Sequence, residues 1–99
     1  MSDRKHSILV VDDSPDTLEI LQRNLSALGY RVDTAPGAAR AIEKLNEQSA
    51  DLVITDLKMP GIGGIDLIRH IRENLPGTAV MMITGYATVE SAVEAVRTG

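Results

Sequence analysis

The sequence predicts an α/β protein built on a doubly wound parallel sheet wrapped by helices, and three observations predict it. Short apolar runs of strand length alternate four times with helical periods along the 99 residues, as in strands joined by right-handed crossovers. Two of the runs, Ile8-Leu9-Val10-Val11 and Leu52-Val53-Ile54-Thr55, are unbroken and rich in β-branched residues, as strands buried on both faces require. Both runs empty into acid, Asp12-Asp13 after the first and Asp56 after the second. In such a fold the carboxyl ends of neighbouring strands share one rim, where loops rather than core surround them.

The elements follow in order. After the first strand, Ser14 offers an N-cap and Pro15 suits the first helical position, and Leu18, Leu21, Leu25 and Leu28 fall on one stripe closed by Gly29. Residues 31–35 alternate weakly and read as an edge strand, and Pro36-Gly37 leads into a second, poorly capped helix through Ile42 and Leu45. Residues 51–55 form the next strand. The stretch Met59-Pro60-Gly61-Ile62-Gly63-Gly64 is a loop, because three glycines and a proline do not share a regular element. Ile65, Ile68, Ile71 and Leu75 mark a third helix stopped by Pro76-Gly77, and residues 79–83 form a fourth buried strand with Met81 and Met82 as core fillers. Thr88 caps a final helix with Val89, Ala92, Val93 and Val96 facing inward, and Gly99 closes it.

Composition bounds the function. A chain of this length is one small domain, 43% hydrophobic and 24% charged, without a run of the roughly 20 apolar residues needed to cross a bilayer. The polar start from Met1 to His6 lacks a signal-peptide core, so a cytoplasmic location is expected. With no cysteine, disulfides, thiolate metal sites and thiol catalysis are excluded. A net charge of −4, ten scattered basic residues and two tyrosines as the whole aromatic content argue against direct nucleic-acid contact by this segment.

Asp12, Asp13, Asp56 and Thr84 all end strands on the same rim. Singly, none is diagnostic, since an aspartate after a strand is often a turn former or cap, and Thr84 before Gly85 reads equally well as a turn residue. The pair Asp12-Asp13 exceeds what capping needs, because Ser14 already supplies a cap. Two unit charges about 4 Å apart repel by roughly 4 kcal/mol at an effective dielectric near 20, so three such carboxylates call for a cation. A hard, oxygen-seeking divalent ion, Mg²⁺ foremost, suits them. Thr55 is expected to pack or bond locally, and His6 and His70 to be solvated surface histidines.

The motifs Val10-Val11-Asp12-Asp13, Thr55-Asp56-Leu57-Lys58-Met59-Pro60-Gly61, Gly64-Ile65-Asp66-Leu67 and Ile83-Thr84-Gly85-Tyr86 occur in order. Together the sequence resembles the receiver domain of two-component response regulators, in register from about Ser7 to Gly99. The stretch Ile83-Thr84-Gly85-Tyr86-Ala87-Thr88-Val89-Glu90-Ser91-Ala92-Val93-Glu94-Ala95 is similar to receivers of the NtrC type, which regulate sigma-54-dependent transcription activators. The resemblance implies a flavodoxin-like sheet of order 2-1-3-4-5 and a phosphoacceptor role for Asp56. It makes Asp13 a direct Mg²⁺ ligand, Asp12 a ligand through water, and the backbone carbonyl of Lys58 a further ligand. Thr84 would hydrogen-bond the phosphoryl group and report its presence. The implied donor is a sensor histidine kinase, and the implied role is phosphorelay signalling to an attached output, transcription foremost, rather than enzymatic turnover.

Receivers of this kind carry a fifth strand with a lysine that pairs with the acceptor carboxylate, then a fifth helix. This sequence stops before them, so residues 1–99 are expected to be a C-terminally truncated receiver domain. Its fourth strand would then be an uncovered edge, and homo-oligomers joined through that strand and the last helix are expected. Two rival readings use the same carboxylates: a Mg²⁺-dependent phosphate-ester hydrolase with an aspartyl nucleophile, and an interaction domain that is never phosphorylated. The hydrolase lacks a second acid/base candidate.

Overall fold

The computed structural model describes residues 6–56 and 63–83. Its elements run β1 (Ser7–Val11), α1 (Pro15–Ala27), β2 (Arg31–Ala35), α2 (Ala38–Glu47), β3 (Leu52–Asp56), α3 (Gly64–Asn74) and β4 (Ala79–Ile83). The strands form one parallel sheet of order β2-β1-β3-β4. That is the doubly wound arrangement expected, with β2 on an edge. The helix expected from Thr88 onward and residues 59–62 of the expected loop lie outside the described residues, while Gly63 is the N-cap of α3 and Gly64, expected in the loop, begins that helix.

Strand periodicity divides the core in two. Ile8 and Val10 of β1 and Ile54 of β3 turn to one face and pack with Leu18, Leu21 and Leu25 of α1. Leu9, Val11 and Val53 turn to the other and pack with Ala38, Ala41 and Leu45 of α2 and Leu67 and Ile71 of α3. Each buried leucine or isoleucine removes apolar surface worth about 1.5–3 kcal/mol, and the helical spacing of four between Leu67 and Ile71 sets which side of α3 faces the sheet.

Local chemistry starts and stops these helices. The Ser14 hydroxyl caps α1 by accepting from the Thr17 N–H at 3.4 Å, with Pro15 at the first helical position. Gly29, at φ +100°, ends α1 in the left-handed region that side chains avoid. Helix α2 begins at Gly37 with no side-chain cap. At its other end Lys44 donates to Asp33 Oδ1 at 2.8 Å and to the Thr34 carbonyl at 2.6 Å, which pins α2 to β2. Burial alone would raise the Asp33 carboxyl, but the Lys44 bond and the Thr34 N–H, which donates to Asp33 Oδ1 at 2.8 Å, outweigh it and hold it below its ordinary value.

Three apolar assignments need correction. Ile65 is 59% exposed, because the inward side of α3 centres on Leu67 and Ile71 rather than on Ile65. Leu28 is exposed because the helix ends at Ala27 and the chain turns away there. In β4, Met82 is 52% exposed, while Val80 and Met81 pack against the two core clusters. Among the described residues β4 lies outermost in the sheet, so it is covered less fully than a central strand.

Candidate functional site

The register of the sheet builds the site. Val11 pairs with Thr55, so Asp12 and Asp56 are the next residues along two adjacent parallel strands. The Asp12 N–H donates to the Ala35 carbonyl at 3.1 Å, extending the ladder to β2 one step beyond Val11 and holding the Asp12 backbone at the sheet edge. From β1 the chain crosses to β2 on one side and returns to β3 on the other. The crevice between the carboxyl ends of β1 and β3 is therefore the point where the strand order reverses, the usual ligand position in open α/β sheets.

Asp12, Asp13 and Asp56 meet there, each offering a carboxylate oxygen, with all three oxygens within 4.8 Å of one another. Asp12 is 9% exposed, Asp13 exposed and Asp56 half-buried. Burial pushes the Asp12 carboxyl above its ordinary value, and repulsion from Asp56 and Asp13 adds to the effect. The Ser14 N–H, donating to Asp12 Oδ1 at 2.9 Å, pulls the other way. That bond also turns the chain from β1 into α1, a second task for Asp12 that the capping role of Ser14 hid from sequence reading. The signal for it is an aspartate two residues ahead of a helix N-cap.

The donor set fits a small hard cation. All three groups are hard oxygens, and oxygens bound to one octahedral Mg²⁺ stand about 2.9 Å or about 4.1 Å apart. A spread reaching 4.8 Å suits direct ligands supplemented through water. Lys58 and Thr84 lie outside the described residues. Thr55 is fully buried and its hydroxyl donates to the Asp56 carbonyl at 3.1 Å, the local bonding expected of it. Among the described residues neither histidine joins the carboxylate cluster. His6 is exposed at the opposite end of β1, 3.6 Å from Asp51, and His70 on α3 is bonded within its own helix by Asn74, which donates to the His70 carbonyl at 3.0 Å. No helix among the described residues is long and apolar enough to cross a membrane.

Known proteins share both sequence and fold with this chain. It is 39% identical over 99 residues to the transcriptional regulatory protein ZraR of Klebsiella oxytoca, covering all of this chain and 22% of that protein. The chain thus spans about a fifth of the length of that regulator. A CheY-like response regulator receiver domain from Methanospirillum hungatei superposes with a TM-score of 0.81 at 30% identity, covering 97% of this chain and 77% of the other. A chain from the solved complex of the histidine kinase ThkA with the response regulator protein TrrA is 37% identical with a TM-score of 0.77, over 84% of this chain and 72% of the other. With the receiver-domain sequence pattern matched from residue 8 to residue 99, the chain belongs to the response regulator receiver domain family.

Proposed function

We propose that residues 1–99 form a receiver domain that accepts a phosphoryl group on Asp56 from a histidine kinase in the presence of Mg²⁺. The observation that supports this reading most is the meeting of Asp12, Asp13 and Asp56 at the strand-order reversal. Asp13 would hold the ion directly, Asp12 would hold it through water, and the Lys58 carbonyl would complete the protein's share. The ion would neutralise phosphoryl charge and hold the group in line.

An Asp56 oxygen attacks phosphorus as the P–N bond of the donor's phosphohistidine breaks, and the electron pair leaves on the imidazole, which takes a proton. The Thr84 hydroxyl then donates to a phosphoryl oxygen. That new bond biases a pre-existing equilibrium between inactive and active forms. The domain is thus a cytoplasmic signalling module that assists its own phosphorylation. Relatives named as transcriptional regulatory proteins support a transcriptional output of the NtrC type. Regulation of DNA would then belong to an attached domain, since this segment carries a net charge of −4.

The test is acetyl phosphate with Mg²⁺, then borohydride trapping and mass spectrometry. A single label at Asp56, lost in Asp56→Asn and without Mg²⁺, is the expected result. Labelling should be faster in a longer polypeptide that supplies the family's fifth strand and lysine. Label at another residue, or steady turnover of a phosphate ester, would overturn the reading. We further propose that the 99-residue polypeptide self-associates through β4 and the segment after it, since Met82 is exposed on the outermost described strand. Sedimentation equilibrium should show dimers that Met82→Lys dissociates. A monomer, or a dimer indifferent to that change, would refute the contact.

A further inference from the structure

The interior of β3 contains one group that packing alone does not call for. Val53 and Ile54 are buried and apolar, whereas Thr55 beside them is 0% exposed and carries a hydroxyl. Valine would fill the same space and suit a strand equally well, without a polar group to desolvate. The hydroxyl donates to the backbone carbonyl of Asp56 at 3.1 Å. That carbonyl belongs to the peptide linking Asp56 to Leu57, the first peptide after the strand, so fixing its direction fixes the backbone rotation with which the chain leaves Asp56.

We propose that Thr55 is a positioning residue for phosphoryl transfer, resting on the reading of Asp56 as acceptor. Its hydroxyl clamps the Asp56 peptide from the core side. The clamp keeps the Asp56 backbone aligned so that its carboxylate stays within 4.8 Å of Asp12 and Asp13. The pairing of Thr55 with Val11 on β1 and Met82 on β4 holds the threonine itself still. A single freed torsion at Asp56 would widen the carboxylate cluster, and misplacement of reacting groups lowers rate steeply even where binding and fold survive.

Two substitutions separate this role from packing. Thr55→Val keeps the shape and deletes the hydroxyl, and Thr55→Ser keeps the hydroxyl and deletes a methyl group. Mg²⁺ affinity is read from amide shifts of residues 12, 13 and 56, Asp56 labelling by acetyl phosphate at saturating Mg²⁺, and stability by urea. Thr55→Val should fold at least as stably as wild type, yet bind Mg²⁺ about 3- to 10-fold more weakly and label about tenfold more slowly. Thr55→Ser should lose stability while keeping affinity and rate near wild type. Wild-type affinity and rate in Thr55→Val, or equal losses in Thr55→Ser, would overturn the proposal. Wild-type protein that takes no label on Asp56 would overturn the functional reading beneath it instead.

Discussion

Asp12→Asn should stabilise the metal-free protein while weakening its response to Mg²⁺. The substitution removes one charge from a cluster whose oxygens lie within 4.8 Å, and an asparagine oxygen can still accept from the Ser14 N–H. At that separation two full charges repel by about 3.5 kcal/mol at an effective dielectric near 20 and by about 0.9 kcal/mol in bulk water. The site lies at a rim with Asp13 exposed, so a gain of about 1–2 kcal/mol at neutral pH and low salt is expected. The direction of the Asp12 shift carries a pH signature. A carboxyl raised above 3.8 in the folded state binds more protons there than in the unfolded chain. Its ionisation therefore erodes stability as pH rises from near 3.8 through the folded value, and the penalty stays at neutral pH. The advantage of Asp12→Asn should grow over that window and then level off. Mg²⁺ at ten times its dissociation constant should add about 1.4 kcal/mol to the wild type and little to the variant. Urea unfolding with chelator and with Mg²⁺ measures both effects. A variant less stable than wild type in chelator would show that the cluster is not electrostatically strained, and an unchanged Mg²⁺ increment would place the ion elsewhere.

Leu21→Ala removes a side chain 1% exposed between α1 and the sheet, and should cost about 2–5 kcal/mol in chemical unfolding; a loss under 1 kcal/mol would mean that α1 is not docked as described. Gly29→Ala meets no atom within 4 Å but forces a side chain to φ +100°, so urea titration should show a loss of about 1–2 kcal/mol, and a neutral outcome would refute the left-handed turn. Asp33→Asn weakens a bond from Lys44 to a carboxylate held below 3.8, and should cost less than about 1 kcal/mol at neutral pH. The wild-type advantage should vanish as pH falls from near 3.8 through the lowered folded value, because protonation removes it there; an advantage that persists in acid would exclude the carboxylate as its source.

Much of this protein is legible in its residues taken in order. The unbroken β-branched runs ending in Asp12-Asp13 and Asp56 define buried strands and put acid at their ends, since a carboxylate cannot follow the run into the core unpaired. Ser14-Pro15 and Gly29 mark the limits of α1 by local backbone chemistry alone. The motif order from Val10 to Tyr86 identifies the family, because several short-range patterns must coincide. Side-chain faces were legible where the pattern is dense, as for Leu18, Leu21 and Leu25, and not where apolar residues crowd more than one side of a helix. On α3, Ile65, Leu67, Ile68 and Ile71 span too wide an arc for all to reach the sheet. Only packing against β3 and α2 selects Leu67 and Ile71 and leaves Ile65 exposed. The proximity of Asp12 and Asp56 belongs likewise to tertiary structure. It depends on β1 lying beside β3 in the register Val11 to Thr55, a long-range pairing that no local propensity encodes. The upward shift of the Asp12 carboxyl follows from the same packing, because burial and two neighbouring charges act on it only once the sheet has formed.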